Sequence, residues 1–447
     1  MRPMPHLGRG YGSSGMAGNS GRLFGPRDPN AGLPDVPKGG GPFMTPPFVV
    51  WWPCGDDPLS DHEAFAVRFC REHSQRTVAR CHPNAQWIPY DPLQPLAIVL
   101  EKTSSLHVLW VTDPSLLLNS AALHLLATPH ENPSLRAPTY LDSVQPNQNA
   151  PPAFPYHDVP TYEEAAHHLS LDTTKVLFEV QPLDPRCFSA PVAQIRYAFP
   201  DPWSVSAKDA AALLAAQGGT VEPRAFVHVF FPLDEHPRED LLALIPEHAA
   251  KILDVGCSSG LFGKAVKTQR PDVSIAGVEP DKRKAHAARL FYDAVYEGDF
   301  ESMALSGPFD VITCGDVLEH LKDPWAALRK IHALLASNGY LLLSVPNVGH
   351  WTVLRGLFQG TFEYVPAGIL NRGHLRFFTE DSLRRALEQS GLVVEVFQRR
   401  QPPPTPQGRR FLDQLRCLES LVVSEQSLLT EAFLVRARKA SNEGSKT

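Results

Sequence analysis

From residue 250 onward, short apolar runs alternate with helix-like text. The runs are AKILDVG (Ala250 to Gly256), SIAGVE (Ser274 to Glu279), AVYEGD (Ala294 to Asp299), FDVITCG (Phe309 to Gly315) and GYLLLSVP (Gly339 to Pro346). Apolar strands separated by helices predict a parallel sheet covered on both faces. The helix after the fourth run should present Trp325, Leu328, Ile331, Leu334 and Leu335 on one face and stop at Asn338-Gly339. LVVEVFQRR reads as a sixth strand, QPPPTPQ breaks the chain, and a helical insertion, Arg410 to Leu421, precedes EAFLVRARK.

The pattern before it is less regular. Strand-like runs (Phe48 to Trp52, His107 to Thr112, Lys175 to Val180) alternate with helix-like ones (Asp91 to Lys102, Leu117 to Ala127, Ala207 to Gln217), which suggests α/β layering. Thr128 to Thr161 is rich in Pro and Asn and reads as a long loop. PLDEHPREDLLALIPEH reads as a linker entering an amphipathic docking helix. The expected order is a disordered Gly/Pro-rich tail over 1–47, an N-terminal α/β domain over 48–225, a linker and docking helix over 226–249, a second domain over 250–440, and a frayed tail over 441–447. Met16 and Met44 are further candidate starts.

Composition narrows the class. With 447 residues, 43% hydrophobic and 20% charged, the chain should form two soluble globular units. A formal charge of -6 without a long Lys/Arg run argues against a phosphate-backbone grip, so nucleic acid is not an expected partner. The 7 Cys are scattered, odd in number and without a CxxC pair, which suits reduced thiols and points to no zinc or other metal site. Nothing reaches the roughly 20 apolar residues of a membrane span, and the start lacks the apolar core of a signal peptide. A cytoplasmic location is expected.

In open parallel sheets, ligands bind at the carboxyl ends of strands. Gly256 and Gly260 let the backbone approach a ligand, the next helix offers free N–H groups, and Glu279 ends the second strand where it can accept two ribose hydroxyls. A nicotinamide dinucleotide would want GxGxxG, whereas the string here is GCSSGLFG. Asp299 ends the third strand, suited to the amino group of adenine, and Asp316 lies just beyond the fourth.

With LDVGCSSG, VEPD, EGDF, FDVITCGDVLEHLKDP and GYLLLSVPN in this order, the region closely resembles the class I, Rossmann-like methyltransferases. The resemblance implies a seven-stranded α/β sheet whose last strand runs antiparallel, preceded here by a second, smaller α/β domain. It implies S-adenosyl-L-methionine as cofactor, held by Asp254, Gly256 and Gly260, with Glu279 on the ribose, Asp299 near the adenine and Asp316 near the methionine. Ser258 stands where the family's GxGxG has its middle glycine, and its hydroxyl could bond the cofactor's carboxylate.

Ser344 to Leu387 resembles methyltransferases of bacterial surface-polysaccharide and glycan pathways, often joined to glycosyltransferases. That implies a sugar or glycan hydroxyl as acceptor and glycan-pathway enzymes as partners. Methyl transfer to a hydroxyl needs in-line positioning and a base for the proton. His320, His350 and His374 are the candidates, each also explicable as a structural residue. Arg372 and Arg376 suit an anionic acceptor group, or a plain salt bridge to Glu363 or Glu380. Trp351, Phe358, Phe362 and Tyr364 suit stacking on a sugar face, with half of them expected in the core.

Pro95 to Leu126 weakly resembles the centre of GT-A glycosyltransferases, but the family's D-x-D becomes Asp113-Pro114-Ser115, so a metal carboxylate is missing. Tyr162-Glu163-Glu164 with His167 and His168 reads as the solvated face of a short helix. The leading expectation is an O-methyltransferase for a sugar or glycan-type hydroxyl. The alternatives are a methyltransferase for another small hydroxylated metabolite and a non-catalytic binding protein with a vestigial cofactor pocket.

Overall fold

A computed structural model describes residues 48–440 except 55–60, 129–133, 142, 144, 150–155, 157, 231–236 and 418–423. The expected tails, 1–47 and 441–447, lie outside the described residues, as do part of the linker and the end of the helical insertion.

The C-terminal sheet has seven strands in the order Ala294–Glu297, Ser274–Glu279, Lys251–Val255, Phe309–Gly315, Leu335–Pro346, Ala432–Lys439, Leu392–Arg400. The first five are parallel, and Ala432–Lys439 runs antiparallel to both its neighbours. This is a Rossmann-like α/β sheet. Its inner strands are almost wholly buried because both faces are covered, which is why they read as unbroken apolar runs, whereas the edge strands Ala294–Glu297 and Leu392–Arg400 are partly exposed. Successive strands step outward in opposite directions from Lys251–Val255, so the order reverses between it and Phe309–Gly315, and a cleft opens at their carboxyl ends.

Two local expectations change here. The helix Pro324–Leu334 ends well before the expected stop at Asn338-Gly339, because Leu335 already pairs with Phe309 as strand, and Trp325 is 42% exposed while Leu328 and Ile331 face the core. The docking helix is only the four residues Glu239–Leu242. Among the described residues no helix is long and apolar enough to cross a membrane.

The N-terminal sheet is also seven-stranded but mixed, in the order Gln86–Tyr90, Phe48–Pro53, His107–Val111, Cys187–Pro191, Arg136–Thr139, Gly219–Phe226, Phe178–Val180. Its strand Arg136–Thr139 falls within the stretch expected to be a long loop; pairing with Cys187–Pro191 and Gly219–Phe226 overrides the poor local propensity. The helix Val159–Ser170 exposes His167 and His168 but buries Tyr162 and Glu163, so the solvated-face expectation fails for those two. Tyr162 Oη donates to the Leu117 carbonyl at 2.6 Å, and Glu163 accepts from the Ser120 hydroxyl at 2.8 Å.

Both sheets belong to one compact unit. Val365, from the segment after Pro346, is buried in the N-terminal core with Phe69 and Leu116, and Leu370 packs against it. Arg355 bonds Asp158 at 2.8 Å, and Glu164 accepts the Gln407 amide at 2.8 Å.

Candidate functional site

The strand Lys251–Val255 turns into the helix Leu261–Gln269 through Gly256 at φ +78° and Gly260 at φ +95°. A Cβ on Gly256 would lie 2.7 Å from Val317 Cγ2, and one on Gly260 would lie 2.8 Å from the Ala288 backbone. Both glycines are therefore required by dihedral and by space. Ser258 sits between them at φ +48°, a left-handed position that costs a side-chain-bearing residue about 1 kcal/mol.

Glu279 anchors the turn. One carboxylate oxygen accepts the Ser258 amide and the other the Asp281 amide, each at 2.9 Å. Burial pushes this carboxyl above its usual range and the two amides pull it back. Asp254 lies beneath, accepting the Tyr292 hydroxyl at 2.6 Å and the Thr313 hydroxyl. Burial pushes its pKa up to about 6. Tyr292 in turn accepts the Gly263 amide at 3.0 Å, so Asp254 braces the helix start through Tyr292.

Asp299 is exposed just past Ala294–Glu297 and accepts the Glu301 amide. Asp316, at φ +54°, accepts the Ser344 hydroxyl at 2.6 Å and pairs with Arg238 at 2.9 Å. Arg238 is the residue that sequence reasoning missed. It bonds Ser344 Oγ at 2.8 Å and Asp240 at 2.9 Å, and a Cβ on Gly315 would lie 2.7 Å from its guanidinium. A glycine ending an otherwise bulky strand was its one trace in the sequence.

Of the three candidate histidines, the structure brings two together. His320 and His374 meet edge to face at 4.8 Å between ring centroids. The Nδ1 of His320 lies 3.0 Å from the Gly373 carbonyl, and that of His374 lies 2.8 Å from the Ile369 carbonyl. Carbonyls only accept, so each Nδ1 carries the hydrogen and each Nε2 the lone pair. Glu319 is fully buried beside them, its Oε1 4.0 Å from His374 Nε2, with neither carboxylate oxygen hydrogen-bonded. Burial raises the Glu319 pKa well above its usual range, lowers that of His320, and lowers that of His374 to about 4. His350 instead is buried at the start of the helix Trp351–Phe358, its Nδ1 2.9 Å from the Thr352 hydroxyl.

The salt bridges expected for Arg372 and Arg376 do not form. Glu380 is taken by Arg384 and Arg399, because its helix and the strand Leu392–Arg400 bring those closer. Arg376 donates to the carbonyls of Leu375 and Lys322. The Arg372 guanidinium lies over the Phe65 ring, 4.7 Å from its centroid. Trp351 is buried, whereas Phe358, Phe362 and Tyr364 are exposed.

Residues 223–395 match a family described as a methyltransferase domain. A ubiquinone biosynthesis O-methyltransferase from Thiobacillus denitrificans is 28% identical over 168 residues, 34% of this chain and 67% of that one. Its counterpart from Psychrobacter arcticus is 34% identical over 134 residues, 26% of this chain and 51% of that one. The matched region thus spans between half and two thirds of these two relatives. Among solved structures, an S-adenosylmethionine-dependent methyltransferase from Mesorhizobium loti aligns at 18% identity and a TM-score of 0.32, covering 45% of this chain and 96% of that one. One from Archaeoglobus fulgidus aligns at 16% and 0.32, covering 45% and 92%.

Proposed function

We propose that this chain, which carries a class I methyltransferase domain whose cofactor is S-adenosyl-L-methionine, is an O-methyltransferase acting on a sugar or glycan-type hydroxyl. The observation that carries the reading is Glu279, a buried carboxylate fixed by two backbone amides beside a tight glycine turn.

The donor set fits the cofactor. Glu279 would accept the ribose hydroxyls and Asp299 the adenine amino group. The Gly256-to-Gly260 turn with Ser258, and the Arg238–Asp316 pair, would hold the methionine end, where a guanidinium suits a carboxylate. Asp254 is a positioning residue that acts through Tyr292. When bound, S-adenosylmethionine supplies a methyl group on a sulfonium.

His320 and His374 do the proton work. Burial keeps both neutral near pH 7, and their Nδ1–H groups are engaged by backbone carbonyls, which leaves an Nε2 lone pair to take the hydroxyl proton. Burial pushes the Glu319 carboxyl well above its usual range, which favours its neutral form. His350, tied to Thr352, is the weakest of the three candidates.

The exposed rings of Phe358, Phe362 and Tyr364, in the segment that leads to His374, support a sugar acceptor, since aromatic faces stack on sugars. The names of the curated relatives, O-methyltransferases of ubiquinone biosynthesis, favour a second reading, another small hydroxylated metabolite as acceptor. On the sugar reading, the N-terminal sheet is a degenerate sugar-nucleotide fold without metal chemistry, consistent with Asp113 being spent on the amide and hydroxyl of Ser115. The protein would then work in the cytoplasm beside glycan-pathway enzymes.

Calorimetric titration with S-adenosylmethionine and S-adenosylhomocysteine tests the cofactor site, with Glu279→Ala as control. Micromolar binding that the variant loses supports the reading. A screen of sugar and other small hydroxylated acceptors then separates the two acceptor classes, while absence of binding by the intact protein would sink the enzyme.

A further inference from the structure

We infer that the N-terminal half completes the acceptor pocket, holding Arg372 over Phe65 so that its guanidinium meets an anionic group carried by the acceptor. The inference rests on the methyltransferase reading above and names the class of its substrate: an acidic sugar, carboxylated or phosphorylated.

The first turn of the helix Asp61–Cys81 touches the second half at two places. Glu63 reaches Arg283 at 3.4 Å, two residues beyond Asp281 on the side assigned to the cofactor's ribose. Phe65 lies under Arg372 on the side of His374. The segment bearing Arg372 is set from the same half, because Val365 and Leu370 pack in the N-terminal core before the chain returns to the His320–His374 pair. Stacking on an aromatic face orients a guanidinium without neutralising it.

Arg372 is left with its charge to offer. Among the described residues no carboxylate lies within ion-pair distance of it, whereas Glu380 pairs with Arg384 and Arg399, and Arg283 has both Glu63 and Asp281. His62, in the same helical turn as Phe65, lies near His320, Lys284 and Arg372. Burial, then His320 and Lys284, hold its pKa down against an opposing pull from Glu63, with Arg372 adding the smallest contribution. An acceptor carboxylate or phosphate beside the hydroxyl would complement the Arg372 guanidinium and, by engaging it, turn the hydroxyl toward the histidine pair.

The test uses the full chain saturated with S-adenosylhomocysteine and titrated with D-glucuronate, D-glucose 6-phosphate and D-glucose. We expect one or both anions to bind at least tenfold tighter than glucose, the better one telling carboxylate from phosphate. Arg372→Gln should abolish that preference with S-adenosylhomocysteine affinity unchanged. Phe65→Ala should weaken anion binding severalfold although it removes no charge, and Phe65→Tyr should restore it; thermal unfolding checks that each variant is folded. Equal binding of glucose, no sugar binding by a protein that binds S-adenosylhomocysteine, or an Arg372→Gln variant like the parent would overturn the inference alone. Failure to bind S-adenosylhomocysteine would overturn the methyltransferase reading and this inference with it.

Discussion

Glu279 holds the backbone amide of Ser258 at 2.9 Å, tying the end of one strand to the turn that follows its neighbour. The same carboxylate holds Asp281 on its other oxygen, so one side chain sets both walls of the cleft floor. Replacing it by alanine leaves two amides unanswered. We expect Glu279→Ala to cost about 2 kcal/mol in urea unfolding and to weaken S-adenosylhomocysteine at least 30-fold. Glu279→Gln, which keeps one acceptor, should lose less on both counts; equal losses would show that geometry is not what the carboxylate supplies.

Gly256 faces two obstacles to a side chain, its φ of +78° and the Val317 methyl 2.7 Å from where Cβ would stand. Gly256→Ala should destabilise by about 2 kcal/mol. Adding Val317→Ala removes the collision but not the dihedral strain, so the double variant should recover part of the cofactor affinity. Full recovery would mean that the backbone conformation is irrelevant to binding.

His228 lies among the rings of Tyr156, Tyr162 and Phe230, and burial lowers its pKa to about 4. The unfolded chain, with a histidine pKa of about 6.5, binds this proton first. Its contribution is therefore complete above pH 6.5 and is lost as pH falls toward 4, on the order of 3 kcal/mol in all. His228→Gln should flatten the dependence of melting temperature on pH between 7 and 5 relative to the parent. Parallel curves for the two proteins would refute the assignment.

The ion pair of Arg355 and Asp158 joins the two sheets at 2.8 Å, with Arg355 nearly buried and also placed over Trp351 at 5.1 Å. Asp158 is partly exposed, which discounts the loss, so Arg355→Ala should cost about 2 kcal/mol. Denaturant unfolding of parent and variant should each show one transition. A second transition in the parent would indicate that the sheets unfold independently.

Much of the C-terminal sheet was legible because parallel strands buried on both faces leave unbroken apolar runs. Ser274–Glu279 and Phe309–Gly315 begin and end where the sequence pattern places them. In the N-terminal half Phe48–Pro53, His107–Val111 and Ala207–Ala216 lie where the pattern puts them, but other elements were hidden. The 21-residue helix Asp61–Cys81 buries Ser74 and Thr77 along with Phe69 and Val78, which blurs its apolar stripe. Arg136–Thr139 exists through pairing with strands distant in sequence. At the site, the acids at strand ends were readable from position. The stacking of Arg372 on Phe65 was not, since charge-matching along the chain points to Glu363 and Glu380. Arg238 was hidden for the same reason, its partners Asp316 and Ser344 being distant in sequence.

Val365 lends the first sheet's core a residue from the segment that serves the second, and this constrains how such a chain can change over generations. A recombination event that exchanged the first half for an unrelated fold would strip Val365 and Leu370 of their packing and put two apolar side chains into water. A first half of another fold would have to offer Val365 and Leu370 an equivalent apolar socket.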